Sequence, residues 1–298
     1  MYRSVLSLLC VFCLVSIDSA VAGIGSHYVN GIEGIQAASM PPPGFYWRSY
    51  NTYYTASEYR DNKGNKTSTD FQLRVFATSN RFMWSTDTNI IGGNLLIDAV
   101  IPVVYTNMYV HNAGSSSASD YNWGLGDPIA DIILAWHGSW YDACVGQNIF
   151  FPLGRYDSDR MANAGKGFWT FMYSAGGTVY FDKEKTWSAS VLARYQINTQ
   201  QEKTRITAGD TFSFEWGVGK EIVKNLTVGA SGYCSWQLND DWGKNATKGR
   251  SIAYAVGPEV DFPVPVVNML AQLRFLFEFE NKNNPQGQVL NLTLTKRF

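Results

Sequence analysis

Beyond residue 22 the sequence has no apolar run approaching the roughly 18 residues a membrane-spanning helix needs, so any bilayer crossing must be made without helices. Charge is also scarce. Only 16% of residues are charged, against about 25% in ordinary soluble domains. The 24 basic and 25 acidic residues nearly cancel, which removes the single-signed field that nucleic acid or an acidic partner calls for. Cysteine is too sparse for a disulfide framework. Cys10 and Cys13 lie in an N-terminal apolar run, which leaves Cys144 and Cys234, far apart and expected to be unpaired. The histidines His27, His111 and His137 form no HExxH motif and no Cys/His metal spacing, so neither a metal nor another cofactor is expected.

What is present is aromatic and strand-like. Aromatics make up 15% of the chain, with 17 Tyr, 17 Phe and 10 Trp, yet mean hydropathy is slightly negative. The first 22 residues differ from the rest: Arg3 precedes an apolar core from Val5 to Ile17, followed by Ala20, Val21 and Ala22. This is the pattern of a secretory signal peptide cleaved after small residues. The core is short for a membrane anchor, so the expectation is export.

Period-two alternation then recurs. In TFSFEWGVGK, Phe212, Phe214, Trp216 and Val218 share one face, with Ser213, Glu215, Gly217 and Gly219 opposite. MLAQLRFLFEFE and KTWSASVLARYQIN read the same way. These runs exceed the about five or six residues of an ordinary strand and suit the about 9–11 of a tilted membrane strand. Twelve such segments are expected, near 44–57, 70–85, 94–109, 126–136, 140–152, 168–180, 186–198, 210–221, 225–238, 251–262, 268–280 and 287–298. Long polar connections alternate with tight ones, as in outer-membrane barrels with short periplasmic turns and longer external loops. The sequence thus predicts an all-β fold, a transmembrane antiparallel outer-membrane barrel over 44–298. A closed barrel is the one non-helical way to satisfy every backbone group in lipid. Residues 23–43 precede it: GIEGIQAAS suggests a short helix ended by Pro41, Pro42 and Pro43. This segment is either a periplasmic lead or a lumen plug, with Glu33 and Gln36 as its polar candidates.

Polar faces carry charges of both signs, among them Arg48, Arg74, Asp98, Asp131, Arg194, Glu215, Glu259, Asp261, Arg274, Glu278 and Glu280. Buried charges must be paired, so these form either a salt-bridge network bracing the wall or a charged constriction. The candidates for a solute path are Arg48, Arg74, Arg194, Glu215, Arg274 and Glu278. Enzymatic signals are thin, and no catalytic residue is assigned. His111 near Ser115, Ser116 and Ser117 is a hydrolase candidate in what reads as a flexible external loop. Asp127 and Asp131 in GDPIAD share a strand face without any sign of an acid–base pair. Most Trp residues fall near strand ends, as in interfacial girdles, whereas Trp123 and Trp242 lie in or beside external loops.

The last segment, LNLTLTKRF, sets Leu290, Leu292, Leu294 and Phe298 toward lipid and Asn291, Thr293, Thr295 and Arg297 inward. A terminal Phe resembles the signal read by the outer-membrane assembly machinery, with Lys296 as a departure at a normally apolar position. The stretches HYVNGIEGIQAASMPPPGFYWRSYNTYYTA, GLGDPIADIILAWHG, GKGFWTFMYSAGGTVYFDKEKTWSASVLARYQINTQ, EWGVGK, GPEVDF and LTLTKRF together resemble the family of exported proteins named for the MetA pathway of phenol degradation. The resemblance covers nearly the whole chain after residue 22. It implies an outer-membrane barrel that admits aromatic compounds passively, partnered by the bilayer and a small hydrophobic solute. The alternative is a sealed barrel with a structural, adhesive or receptor role.

Overall fold

A strand in hydrocarbon needs a hydrogen-bonding partner on each edge, because lipid offers none. The computed structural model, which describes residues 25–112, 117–244, 246 and 248–298, meets this demand by closing one antiparallel sheet on itself. In chain order the strands are β1 (Gly44–Arg60), β2 (Asp70–Ile90), β3 (Gly93–His111), β4 (Ala118–Leu125), β5 (Ile129–His137), β6 (Tyr141–Phe150) and β7 (Thr170–Tyr180). They continue as β8 (Trp187–Asn198), β9 (Thr211–Val223), β10 (Leu226–Gln237), β11 (Ile252–Val264), β12 (Met269–Lys282) and β13 (Asn284–Arg297). β13 pairs with β1 from Arg297↔Tyr46 to Asn284↔Arg60, which closes the ring.

Two of these strands share one place in the wall. β4 pairs with residues 103–110 of β3, and β5 pairs with residues 94–100 of the same strand. Together they form one stave, interrupted at Gly126, Asp127 and Pro128, and the barrel has twelve staves. The expected segments match these staves, except that 118–125 forms a strand where the sequence suggests external loop. Pro128 cannot donate to a ladder, and its position explains where the stave breaks.

Register fixes which face looks inward, since residues directly opposite share a face. Arg48 lies opposite Arg81, Asp98 opposite Asp131, and Arg194 opposite Ser213, all inward. Phe45, Phe76, Phe82, Trp84, Val191 and Leu290 face outward and are exposed, as lipid-facing residues must be. Tight connections at 91–92, 138–140, 181–186, 224–225 and 265–268 lie at the end holding Gly44 and Phe298; the longer ones lie at the other end, where the single residue Asn283 between β12 and β13 is the exception. The Phe298 amide donates to the Phe45 carbonyl at 3.0 Å, so the terminus is tied into the seam. Lys296 faces outward, its ammonium 5.6 Å from the Phe298 ring. Cys144 and Cys234 are unpaired.

The helix expected over GIEGIQAAS does not form. Residues 25–43 lie inside the barrel as successive turns, with Ala37 N–H donating to Gly34 O at 3.0 Å and Ser39 N–H to Gln36 O at 2.9 Å. Gln36 takes a positive φ of 59° and Gly31 one of 89°, which a helix forbids. Several of the segment's amides donate to wall side chains, which replaces the helical ladder. The signal-peptide segment, 1–22, lies outside the described residues, as do Ser115 and Ser116.

Candidate functional site

The internal segment seats itself on a shelf of glycines. A Cβ at Gly217 would meet the backbone of Ile35 and Gly34, and one at Gly219 would meet the Ile35 side chain. Only glycine permits so close an approach. Backbone donors then find buried acceptors on the wall: Gly31 and Glu33 amides donate to the Glu215 carboxylate at 2.7 and 3.0 Å, and the Ile35 amide to Glu259 at 3.1 Å. Tyr28 donates its hydroxyl to Glu215 at 2.6 Å, and the Arg194 guanidinium stacks over its ring at 4.0 Å.

Each of these carboxylates is itself paired. Arg194 donates to Glu215, and Arg274 donates to Glu259 at 2.7 Å and to Asn291 at 3.1 Å. Arg274 also donates to the Ile32 carbonyl of the segment. A third cluster centres on Glu33, whose carboxylate accepts the Tyr50 hydroxyl at 2.6 Å and lies 3.5 Å from Arg48 and 3.8 Å from Arg81. Burial pushes the Glu33 carboxyl up, but Arg48, Arg81 and the Tyr50 hydroxyl outweigh it and hold the group below the ordinary glutamate value. Glu33 is therefore a charged pin between the segment and the wall.

The segment divides the lumen. On one side lies a cavity of about 350 Å³, lined mainly by apolar groups such as Val75, Val100, Ile129, Ile133, Met172 and Leu192. On the other lies a more polar cavity of about 370 Å³ at the end holding the tight turns, bounded by Gln36, Arg48, Asp261, Asn268 and Arg297. Glu33 lines both, so its ion cluster stands at the partition.

The apolar cavity also reaches the interrupted stave. The second edge of β4 carries no strand; the 151–169 connection covers it instead. The Arg155 amide donates to Leu125 O at 2.8 Å, and Asn122 donates to Ala162 O at 3.2 Å. Asp127, buried in the break, gathers this region. Its carboxylate accepts the Gly154 amide at 2.8 Å and the Lys166 amide at 2.6 Å, and lies 2.7 Å from His27 Nε2 of the segment. Thr170 donates to Asn198 at 2.6 Å, whose own amide nitrogen donates to Ala208 and Gly209. The Thr170 hydroxyl oxygen also lies 2.6 Å from His27 Nδ1. The Lys166 ammonium, which donates to Gly25 O at 3.3 Å, is pushed down to about 8 by burial.

Residues 56–294 match the family described as "Putative MetA-pathway of phenol degradation". The chain belongs to this family. No curated protein matches it in sequence. Among solved structures, the COG4313 outer membrane channel from Pseudomonas putida F1 shares the fold, with a TM-score of 0.73 at 14% identity over 88% of this chain and 97% of that one. The beta domain of the Bordetella autotransporter BrkA matches at a TM-score of 0.49 and 11% identity, covering 87% of this chain and 100% of that one. The CymD monoaromatic hydrocarbon channel matches at 0.46 and 11%, covering 87% and 89%. Likeness as slight as that of the last two does not bear on function. The family match and the fold agree on a closed antiparallel barrel of twelve staves, of the outer-membrane kind.

Within that barrel the expected lumen residues mostly converge. Arg48, Arg194, Glu215 and Arg274 meet at the internal segment, together with Glu33. Glu278 points inward but away from that cluster, accepting the Tyr54 and Tyr233 hydroxyls at 2.8 and 2.5 Å. Gln36 is exposed and borders the polar cavity. Arg74 is a correction: it faces outward, opposite Thr55 and on the face of Phe76 and Phe82. Both faces of β2 are partly apolar, with Phe71, Leu73 and Met83 inside, so polarity alone misplaces the phase. Glu280 is likewise exposed, turned at a positive φ of 51°. The β2 arginine that does enter the lumen is Arg81, absent from the expected set although it is in phase with Leu73 and Ala77. Asp127 lies in the stave break and not on a strand face with Asp131.

Proposed function

We propose that the protein is an outer-membrane channel that passes small hydrophobic or aromatic molecules, phenol-like in size, by passive diffusion. The observation that carries this reading is the largely apolar cavity beside the internal segment, since a lumen built only for ions or sugars would be polar throughout. The cavity runs to the interrupted stave, where Gly126 and Ala164 border it. The segment is the plug between the apolar and polar cavities, and its displacement opens the path. Passage of this kind needs no covalent step and no cofactor. Residues 1–22 direct export, and Phe298 addresses the chain to the assembly machinery.

A second reading rests on the ion clusters that pin the segment: a barrel sealed at rest, with a structural, adhesive or receptor role. Folded protein in liposomes is expected to raise phenol uptake above that of empty vesicles. No increase, with folding established by heat-modifiable gel mobility, overturns the channel reading and leaves the sealed barrel.

A further inference from the structure

Within the apolar cavity two polar side chains each keep one oxygen outside the pairing that occupies the others. Asp131 on β5 and Asn148 on β6 are direct cross-strand partners, 6% and 5% exposed, and both line the cavity. Asp131 Oδ1 and Asn148 Oδ1 accept no hydrogen bond among the described residues. The neighbouring cation is already engaged: Arg81 holds Asp98 at 2.9 and 2.7 Å and reaches Asp131 Oδ2 only at 3.5 Å. Around the pair, on the same inward faces, lie Ile129 and Ile133 on β5 and Phe150 on β6, with Met172 beside Asn148 on β7.

A buried acceptor without a donor is costly, and a ligand that supplies the donor recovers that loss. The surroundings accept a flat apolar body. With Asp98 directly opposite Asp131 on β3 and one Arg81 shared by the two carboxyl groups, the pair has no cation to spare for an anion and accepts a hydrogen instead.

Resting on the reading of this cavity as the solute's path, we propose that Asp131 and Asn148 form a seat for the hydroxyl of a small neutral hydroxylated aromatic. The seat selects such a compound over an aromatic hydrocarbon, which leaves the acceptors unmet, and over an aromatic carboxylate, which brings a negative charge toward two carboxyl groups that share one arginine. Asp131 accepts the hydroxyl hydrogen, and Asn148 turns its amide to the same oxygen.

Binding of 4-fluorophenol, fluorobenzene and 4-fluorobenzoate to the folded full-length barrel, followed by fluorine NMR with protein-free micelles as blank, tests this. The phenol is expected to bind about tenfold more tightly than fluorobenzene, equivalent to about 1.4 kcal/mol, with the benzoate weakest. In the Asp131→Ala/Asn148→Ala double variant the phenol's Kd rises to that of fluorobenzene, whose own Kd stays unchanged and reports an intact cavity. If that variant loses fluorobenzene binding, the near-isosteric Asp131→Asn is read instead and narrows the preference. Equal affinities in the native protein, a preference that survives these replacements, or tightest binding of the benzoate overturns the seat while leaving an aromatic channel standing. Binding of none of the three overturns both readings.

Discussion

Gly217 on β9 lies against the Gly34–Ile35 peptide so closely that a methyl group added to it would fall 2.5 Å from the Ile35 nitrogen. Backbone cannot yield to that contact as a flexible side chain would. Gly217→Ala is therefore expected to lift residues 25–43 off the wall and raise conductance in planar bilayers, while the barrel still shows heat-modifiable mobility. Gly177→Ala is the control, because its nearest outside atom is 3.5 Å away, an ordinary contact. Equal conductance for the two variants would count against the shelf.

Asp127 joins three pieces of chain that are remote in sequence, and its loss should be felt in all of them. Asp127→Ala removes the acceptor of the Gly154 and Lys166 amides and the partner of His27. Breaking such a buried, charge-assisted set costs about 3–5 kcal/mol. The expected outcome is a lower melting temperature together with new proteolytic cleavage in 151–169. Asp127→Asn, which keeps one acceptor, should lie between the alanine variant and the native protein. Unchanged proteolysis would remove Asp127 from this role.

The Glu33 pin makes the seat of the segment depend on pH in a known direction. Its carboxyl is held below the ordinary 4.5 by Arg48, Arg81 and Tyr50 against the opposing effect of burial. A depressed carboxyl stabilises the docked state fully above its undocked value, and that contribution fades as pH falls through the docked one. Conductance is thus expected to be flat from neutral pH to about 5 and to climb below the undocked value near 4.5. Glu33→Gln should shrink the acid step. A step of the same size in that variant would assign it to other carboxylates.

The barrel is legible in the sequence because lipid imposes a simple code: long period-two runs, apolar outward, joined by connections of alternating length. Phe212, Phe214 and Trp216 carry that code plainly, and β9 stands where the alternation places it. The code weakens where lumen and lipid faces are alike, as on β2, and there the phase of Arg74 is lost. It is silent on Asp127, whose meaning comes from His27 and Lys166, 100 and 39 residues away in the chain. The internal segment is visible as a non-strand lead with Glu33 and Gln36. Its turns are not, because wall carboxylates supply the partners that a helix would have supplied itself.

The two arginines of β2 separate these cases by experiment. Arg81 is enclosed by Asp98, Asp131, Glu33 and Tyr50, so Arg81→Gln leaves buried carboxylates without their cation. The loss should be about 3–5 kcal/mol, read as a large fall in resistance to heat or denaturant, with altered conductance. Arg74 faces outward and is exposed, so Arg74→Gln should stay within about 0.5 kcal/mol of native and leave conductance untouched. Because the residues sit seven apart on one strand, an odd interval, they cannot share a face while the strand stays regular. If Arg74→Gln altered the current and Arg81→Gln did not, the phase of β2 would have to be reversed, and with it the lining of the apolar cavity.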